Sequence, residues 1–248
     1  SYAGFQAGID RKILLKNEKG TVYVGGMIGY VKGNQDFKRD YGTGTIESKT
    51  LGAYGTYVSK NGFYADLVAK YGWMTNSYRV QDTAGRWVNS DDMDTDGLAL
   101  SLEIGRRYHF KGQKAERSWF IEPQAQIGYS HLGGGTITGS NGLRTDVDSY
   151  DSLLGRLGFL LGYEVKTGKR PINIYGKLSY LHEFGGDADF RMNGFSTQYG
   201  MSDSGWVYGL GITAKMGTRH NLYIDIERAI GDGFDQPWAI NGGYRYNW

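Results

Sequence analysis

Cysteine is absent from the 248 residues, which excludes a disulfide scaffold and thiolate chemistry and suits a chain that crosses an oxidising compartment without mispairing. Proline occurs only three times. No stretch approaches the roughly 18 uninterrupted apolar residues that a membrane helix requires, so any membrane crossing has to be made by strands. Lysine and arginine number 28 against 26 acidic residues, a formal net charge of +2 that leaves no basic field for nucleic acid. The four histidines, His109, His131, His182 and His220, show no metal-ligand spacing, and neither a metal nor a cofactor is expected. The opening Ser1-Tyr-Ala-Gly-Phe5 lacks the charged start and apolar centre of a signal peptide, so the chain reads as a mature fragment.

What is abundant is glycine, at 40 residues, and aromatic side chains, at 15% with 20 tyrosines. The mean hydropathy of -0.49 resembles that of a soluble protein. It is uninformative here, because a transmembrane barrel shows only half of each strand to lipid and keeps a polar interior. The final residues alternate without a break: Trp238, Ile240, Tyr244, Tyr246 and Trp248 share one face of an extended strand, and Asn241, Arg245 and Asn247 share the other. The same period of two runs through Phe63–Trp73, Leu98–Ile104, Trp119–Tyr129, Leu153–Tyr163, Ile172–Tyr180, Trp206–Met216 and Leu222–Ile226. Strands of about ten residues, tilted by about 40°, span roughly 25 Å, the height of an outer-membrane apolar band.

Tight connections are predicted at Lys16–Gly20, Ser59–Gly62, Lys111–Arg117, Lys166–Arg170 and Gly217–His220, and long polar ones at Gly33–Thr45, Asn76–Thr95, Gly133–Asp148 and Gly185–Asp203, with a shorter one at Gly231–Gln236. Short turns on one rim and long loops on the other are the habit of bacterial barrels. The predicted fold is therefore all-β, a transmembrane antiparallel up-and-down barrel with about eleven strands in this chain, formed by residues 1–248 as one domain. If the last strand ends in the periplasm, counting backwards makes Tyr2–Leu14 a descending strand. An even strand number then places one ascending strand upstream of Ser1. The soluble rival, a two-sheet sandwich, would instead bury Leu67, Ile127, Leu157 and Ile224 in a dry centre and expose Glu122 and Arg156.

Strand parity sets one inward polar group: Gln6, Asp10, Asp66, Lys70, Glu103, Glu122, Gln124, Gln126, Arg156, Glu164, Lys177, Lys215, Asp225, Glu227 and Arg245. A Lys or Arg at mid-depth on the lipid face costs about 2–4 kcal/mol, so charges sort inward, where water and partners compensate them. Two motif matches are read as accidental, a divalent-ion site on Asp92, Asp94 and Asp96 in the external loop being the alternative to the first. Asp92-x-Asp94-x-Asp96-Gly97-x5-Glu103 fits the EF-hand pattern, but Leu98, Leu100 and Leu102 place Glu103 along a strand instead of in a curled loop. Gly209-x-Gly211-x-x-Ala214 lies inside an alternating strand and not at a strand-to-helix turn.

Local words carry a resemblance. Gly4-Phe-Gln-Ala-Gly-Ile-Asp10-Arg11, Gly25-Gly-Met-Ile-Gly-Tyr30, Asn61-Gly-Phe-Tyr-Ala-Asp66, Phe120-Ile-Glu122-Pro123-Gln124-Ala-Gln126 and Leu181-His182-Glu183-Phe184 resemble the C-terminal translocator of autotransporters, the type V secretion proteins of Gram-negative outer membranes, and lie closest to those of large adhesins. The resemblance implies a barrel of twelve strands whose narrow polar lumen holds the segment joining it to an N-terminal passenger, and which helps to secrete and anchor that passenger at the cell surface. The implied partners are outer-membrane lipid, the chain's own passenger and pore helix, and the barrel assembly machinery, for which Tyr244, Tyr246 and Trp248 form the aromatic C-terminal signal. The family's usual last residue is phenylalanine; here it is Trp248. Some relatives cut their passenger inside the pore, and by that likeness Glu122 and Asp66, with Arg156 as charge partner, are the candidates for self-cleavage. Otherwise the chain is not expected to be an enzyme. The competing functions are an outer-membrane protease or lipase barrel, for which no Ser beside a His is evident in one strand, and a diffusion porin, which would use more strands and a folded-in loop.

Overall fold

The computed structural model describes residues 1–15, 19–37, 41–110, 117–167, 170–186, 188–193, 195–199, 203–217, 219–232 and 235–247. Its elements are β1 (Tyr2–Leu14), β2 (Gly20–Asp36), β3 (Gly42–Ser59), β4 (Phe63–Gln81), β5 (Trp87–Asn89), β6 (Met93–Arg106), β7 (Tyr108–His109), β8 (Arg117–Leu132), β9 (Gly135–Thr138), β10 (Arg144–Val147), β11 (Tyr150–Thr167), β12 (Arg170–Glu183), β13 (Ala188–Met192), β14 (Phe195–Tyr199), β15 (Ser204–Met216), β16 (His220–Gly231) and β17 (Asp235–Tyr246). Eleven long strands pair antiparallel in chain order, β1-β2-β3-β4-β6-β8-β11-β12-β15-β16-β17, with the short β5 and β7 at the margins. Nearest-neighbour pairing throughout is the up-and-down topology that alternation and short turns specify. The β3–β4 turn is closed by Gly62 at φ 85°, whose N–H donates to Ser59 O at 3.3 Å.

The strands outrun the sequence-based estimate. β3, β4 and β11 reach 18, 19 and 18 residues. Much of the expected loops Gly33–Thr45 and Asn76–Thr95 is therefore strand: Asn34 pairs with Thr45, and Thr75 with Asp94. Apolar alternation stops where lipid stops, whereas the backbone ladder needs no lipid and runs on into water with Thr, Ser, Asn and Asp on both faces. The other two long connections contribute β9, β10, β13 and β14, which form a separate four-stranded sheet in the order β14-β13-β10-β9. Parts of the expected turns, Asn17 and Gly168 among them, lie outside the described residues.

The large sheet has a wet face and an oily one, and contacts that skip strands show which way it curls. Lys70 on β4 reaches Gln6 on β1, Tyr54 on β3 reaches Asp10 on β1, Arg156 on β11 reaches Glu103 on β6, and Arg245 on β17 reaches Asp10 on β1. All four lie on the same face. Side chains converge only on a concave surface, and the last pair joins the first strand to the last. The curl therefore closes on itself with the polar face inside. Between β1 and β17, among the described residues, there is no backbone ladder; side chains alone bridge this seam, Gln236 donating to Tyr2 Oη at 2.5 Å and Arg245 to Asp10 at 2.6 Å.

The outer face carries the apolar residues. Leu67, Ile127, Leu157 and Ile224 are 56%, 49%, 65% and 55% exposed, while Glu122 is 7% exposed, the reverse of a sandwich. Among the described residues, the buried hydrophobic side chains are only Met27, Val88, Phe120, Ile137, Ala229 and Ala239. A sheet with so little dry interior must hide its oily face in a membrane. Aromatic pairs mark the two edges of the apolar band: Tyr71–Trp73 and Tyr180–Trp206 on the long-loop side, Trp119–Tyr163 and Tyr57–Phe63 on the short-turn side. Trp119 to Tyr129 on β8 is roughly ten steps of about 3.3 Å, or about 25 Å vertically at a 40° tilt. Leu102 sits between these girdles, 43% exposed. Leu102→Arg is expected to cost about 2–4 kcal/mol in a bilayer, whereas on an exposed soluble surface it would cost almost nothing; the urea unfolding midpoint in lipid vesicles distinguishes the two.

Candidate functional site

Ladder register brings the fifteen polar residues of the inward set onto the concave face. Glu103 pairs across strands with both Asp66 and Gln126, Gln126 with Arg156, Glu122 with Leu160 and onward to Lys177, and Glu227 and Asp225 with Gly209 and Gly211. Gln124, Glu164 and Lys215 fall on the same parity through Gly158, Asn173 and Asn221, Gln6 and Asp10 through Gly29 and Gly25, Lys70 through Gly52, and Arg245 through Asn221. Glycine opposite or beside a charged side chain leaves room for that chain to lie along the wall.

The charges form three clusters and a smaller group nearer the short-turn rim. In the first, Glu103 accepts from Tyr64 Oη at 2.6 Å and Arg156 Nη2 at 2.5 Å, Gln126 donates to Ser101 at 2.6 Å, and Asp66 accepts from Thr56. Beside it, Glu122 accepts from Arg107 Nε at 2.5 Å and Gln124 at 3.0 Å, and the Arg107 guanidinium lies 4.2 Å over the Phe120 ring. In the second, Lys177 pairs with Glu227 and lies 3.9 Å from Asp225, which also accepts from Asn241 at 3.1 Å. The third holds the seam: Asp10 accepts from Tyr54 at 2.7 Å and Arg245 at 2.6 Å, Arg245 stacks 4.4 Å over Tyr23, and Lys70 donates to Gln6 at 3.0 Å. Nearer the short-turn rim, Glu164 faces Lys166 at 2.9 Å and His109 at 3.5 Å.

Two features depart from the sequence-based reading. Arg156 does not partner Glu122; its guanidinium is taken by Glu103, and Arg107 neutralises Glu122 instead. Arg107 follows the end of β6 and is fixed by its own N–H donating to Gly62 O at 3.0 Å, so strand parity could not have revealed it. The inward tyrosines were legible and missed. Tyr64 shares the parity of Asp66, and Phe120 that of Glu122. These rings are set directly opposite glycines of the next strand, Tyr54 against Gly25, Tyr64 against Gly105, Phe120 against Gly162, Tyr175 against Gly211 and Tyr223 against Gly243. A Cβ at Gly105 would come within 2.6 Å of the Tyr64 ring, so the ring lies flat where a side chain would stand.

The EF-hand match is broken by the same parity. Asp94 and Asp96 face outward, accepting from Thr75 at 2.7 Å and from Tyr71, while Glu103 faces inward. The histidines are likewise absorbed: His131 meets Asp151 at 2.9 Å, His220 meets Tyr244 Oη at 2.7 Å, and His182 lies 2.8 Å from Ser204 while its ring stands edge-on to Phe184. The His182–Ser204 contact, formed across β12 and β15, is invisible to a search within one strand. Tyr244 and Tyr246 face outward on β17 beside His220; Trp248 lies outside the described residues.

Comparison with known proteins places this geometry. The family described as the autotransporter β-domain matches residues 1–227. The chain is 35% identical over 246 residues to the probable autotransporter YcgV of Escherichia coli K12, covering 99% of this chain and 25% of that protein, and 35% identical over 248 residues to the pertactin autotransporter of Bordetella parapertussis, covering 99% and 26%. It thus spans about a quarter of the length of these curated relatives. Among solved structures, the β-domain of the Bordetella autotransporter BrkA superposes with a TM-score of 0.81 at 31% identity over 100% of this chain and 90% of that one. The transport unit of AIDA-I from Escherichia coli, at 18% identity and covering 100% and 83%, shares the fold with a TM-score of 0.77. The chain belongs to the autotransporter β-domain family, the outer-membrane barrels of Gram-negative type V secretion.

Proposed function

We propose that residues 1–248 form the translocator that helps to carry an N-terminal passenger, in keeping with its relatives an adhesin, to the cell surface and anchor it there. The observation that carries this reading is the curled sheet with one polar concave wall, held by paired charges. An α-helix is about 10–12 Å wide, so a lumen of that order takes one helix or an extended hairpin and no folded domain. The passenger then has to cross unfolded and fold outside. Its linker and pore helix occupy the lumen, and the outward aromatics Tyr244 and Tyr246, with Trp248, serve as the signal to the barrel assembly machinery.

The lumenal charges act by solvating and stiffening this conduit. Both signs are present and mutually compensated, so an unfolded chain of either charge meets no deep electrostatic trap. Self-cleavage of the linker is the finer possibility that the family likeness raises. Among the described residues, Glu122 is engaged by Arg107 and Gln124, and Asp66 by Thr56. Of the two, Asp66 therefore keeps more acceptor capacity for an incoming linker group, and it is our candidate for any proton transfer at the scissile bond. The unpaired edges of β1 and β17 would leave backbone N–H and C=O groups facing hydrocarbon. A further strand of the same protein laid into this seam satisfies both edges.

Planar-bilayer conductance tests the conduit reading. The barrel completed by a strand in the seam, but lacking the linker and pore helix, should form open channels, and the full-length protein, its linker seated in the lumen, should conduct several-fold less. Equal conductance would make the barrel a diffusion pore. The wall itself is tested by Arg107→Met, which strands the buried Glu122 carboxylate and should destabilise the barrel by about 1–3 kcal/mol. The double variant Arg107→Met with Glu122→Gln should recover most of that loss in a chemical unfolding titration; no recovery would mean that Arg107 acts by packing on Phe120 alone.

A further inference from the structure

On the membrane face, near the short-turn rim, the wall is notched. Gly176 faces outward on β12 between Leu161 of β11 and Leu210 of β15. With no side chain there, Trp119, Leu161, Tyr163, Ile174 and Leu210 surround an open groove of about 470 Å³. That is the size of a small-molecule pocket, about 300–1,000 Å³. Its walls are apolar and its lining side chains are exposed, Leu210 at 72% and Ile174 at 58%.

One end of this groove is charged. Register puts Arg117 one outward step beyond Trp119, opposite Val165, and Arg170 one outward step beyond Ile172, opposite Thr167. Both arginines are exposed and share the outward parity. They stand two inter-strand spacings apart and two residues offset along the strands, about 12 Å. Neither has an acidic partner among the described residues, whereas Arg107, Arg156 and Arg245 on the concave wall each have one. An arginine at the edge of an apolar band reaches toward the headgroup level, where the anion within reach is lipid phosphate.

We propose that this notch is a binding site for one anionic phospholipid of the inner leaflet, with an acyl chain lying in the groove over Gly176 and the headgroup phosphate bridged by Arg117 and Arg170. Charge complementarity selects the occupant. The leaflet follows from the short-turn rim being periplasmic. The Trp119–Tyr163 pair, with ring centroids 5.1 Å apart, sits between groove and arginines at the level of the glycerol ester groups.

The test is native mass spectrometry of the full-length protein released from nanodiscs containing phosphatidylglycerol and phosphatidylcholine in equal amounts. One retained phosphatidylglycerol per protein, favoured at least fivefold over phosphatidylcholine, is expected. The double variant Arg117→Gln with Arg170→Gln should abolish the preference, and Gly176→Phe should displace the lipid while leaving every charge in place. Arg11→Gln, an outward arginine on the same rim but on β1, several strands away from the notch, should change nothing. Retention of phosphatidylglycerol by the double variant, loss of it on Arg11→Gln, or no preference in the unaltered protein would each overturn the proposal. Heat-modifiable gel mobility of each variant separates a lost site from a lost barrel, and wild-type retention alone decides the case should the variants not fold. The readout involves no passenger, so its failure is independent of the conduit reading.

Discussion

The structure depends on one constraint: hydrocarbon offers a peptide group no hydrogen-bond partner. Every N–H and C=O crossing the membrane must find one within the protein, and a sheet can meet that demand only by pairing each strand on both sides. Antiparallel order with nearest neighbours, strand lengths that exceed the apolar band, and curling of the sheet until β1 and β17 face one another all follow from it. So does the position of its weakest line. The seam is held by Asp10, Arg245, Tyr2 and Gln236 through side chains, and side chains cannot stand in for a ladder of backbone bonds in lipid.

Closing the sheet creates a second problem, which is to fill or solvate the inside. A soluble domain would pack leucines there. This chain puts its leucines outside and builds the inner wall from carboxylates, guanidiniums, amides and tyrosines that satisfy one another across one or two strands. The desolvation cost of each charge is held down by a partner and by water in the lumen. Aromatic rings do the remaining filling, and Tyr54, Tyr64, Phe120, Tyr175 and Tyr223 each lie over a glycine and so thicken the wall instead of obstructing the bore. Removing a Cβ on one strand and adding a ring on the next conserves volume while leaving a passage, which a uniform choice of medium side chains would not do.

Much of this was legible because a strand has a period of two. Trp119, Ile121, Ala125 and Ile127 announce one face of β8 and Glu122, Gln124 and Gln126 the other, and the pleat permits no other arrangement. The eleven long strands and the two rim classes could be read from the same signal. What could not be read lies where the period fails. Arg107 sits at the break after β6, and its place on Glu122 depends on a turn from β3 to β4. Thr43, Ser77 and Asp94 are polar on both faces, so the sequence gives no sign that their strands continue past the membrane. The sheet made of β9, β10, β13 and β14 joins two loops separated by about fifty residues, a contact that no local pattern encodes. Resemblance supplied the family, but parity supplied the wall.

The same parity makes the two membrane interfaces unequal. On the long-loop side, the outward acids Glu47, Asp94, Asp96 and Asp151 are each taken by a neighbour, respectively Lys32, Thr75, Tyr71 and the pair Tyr129 and His131. The acids of that rim are satisfied within the protein. On the short-turn side, the outward Arg11, Arg117 and Arg170 meet no acid among the described residues, and Arg106 lies 4.9 Å over the Tyr108 ring without one. A guanidinium beside hydrocarbon costs far less when it reaches an anion than when it does not, so this rim is left to be completed by its surroundings. Phosphate is the anion at that depth. Under the lipid proposal, the barrel is fastened at one interface by its own side chains and at the other by the membrane.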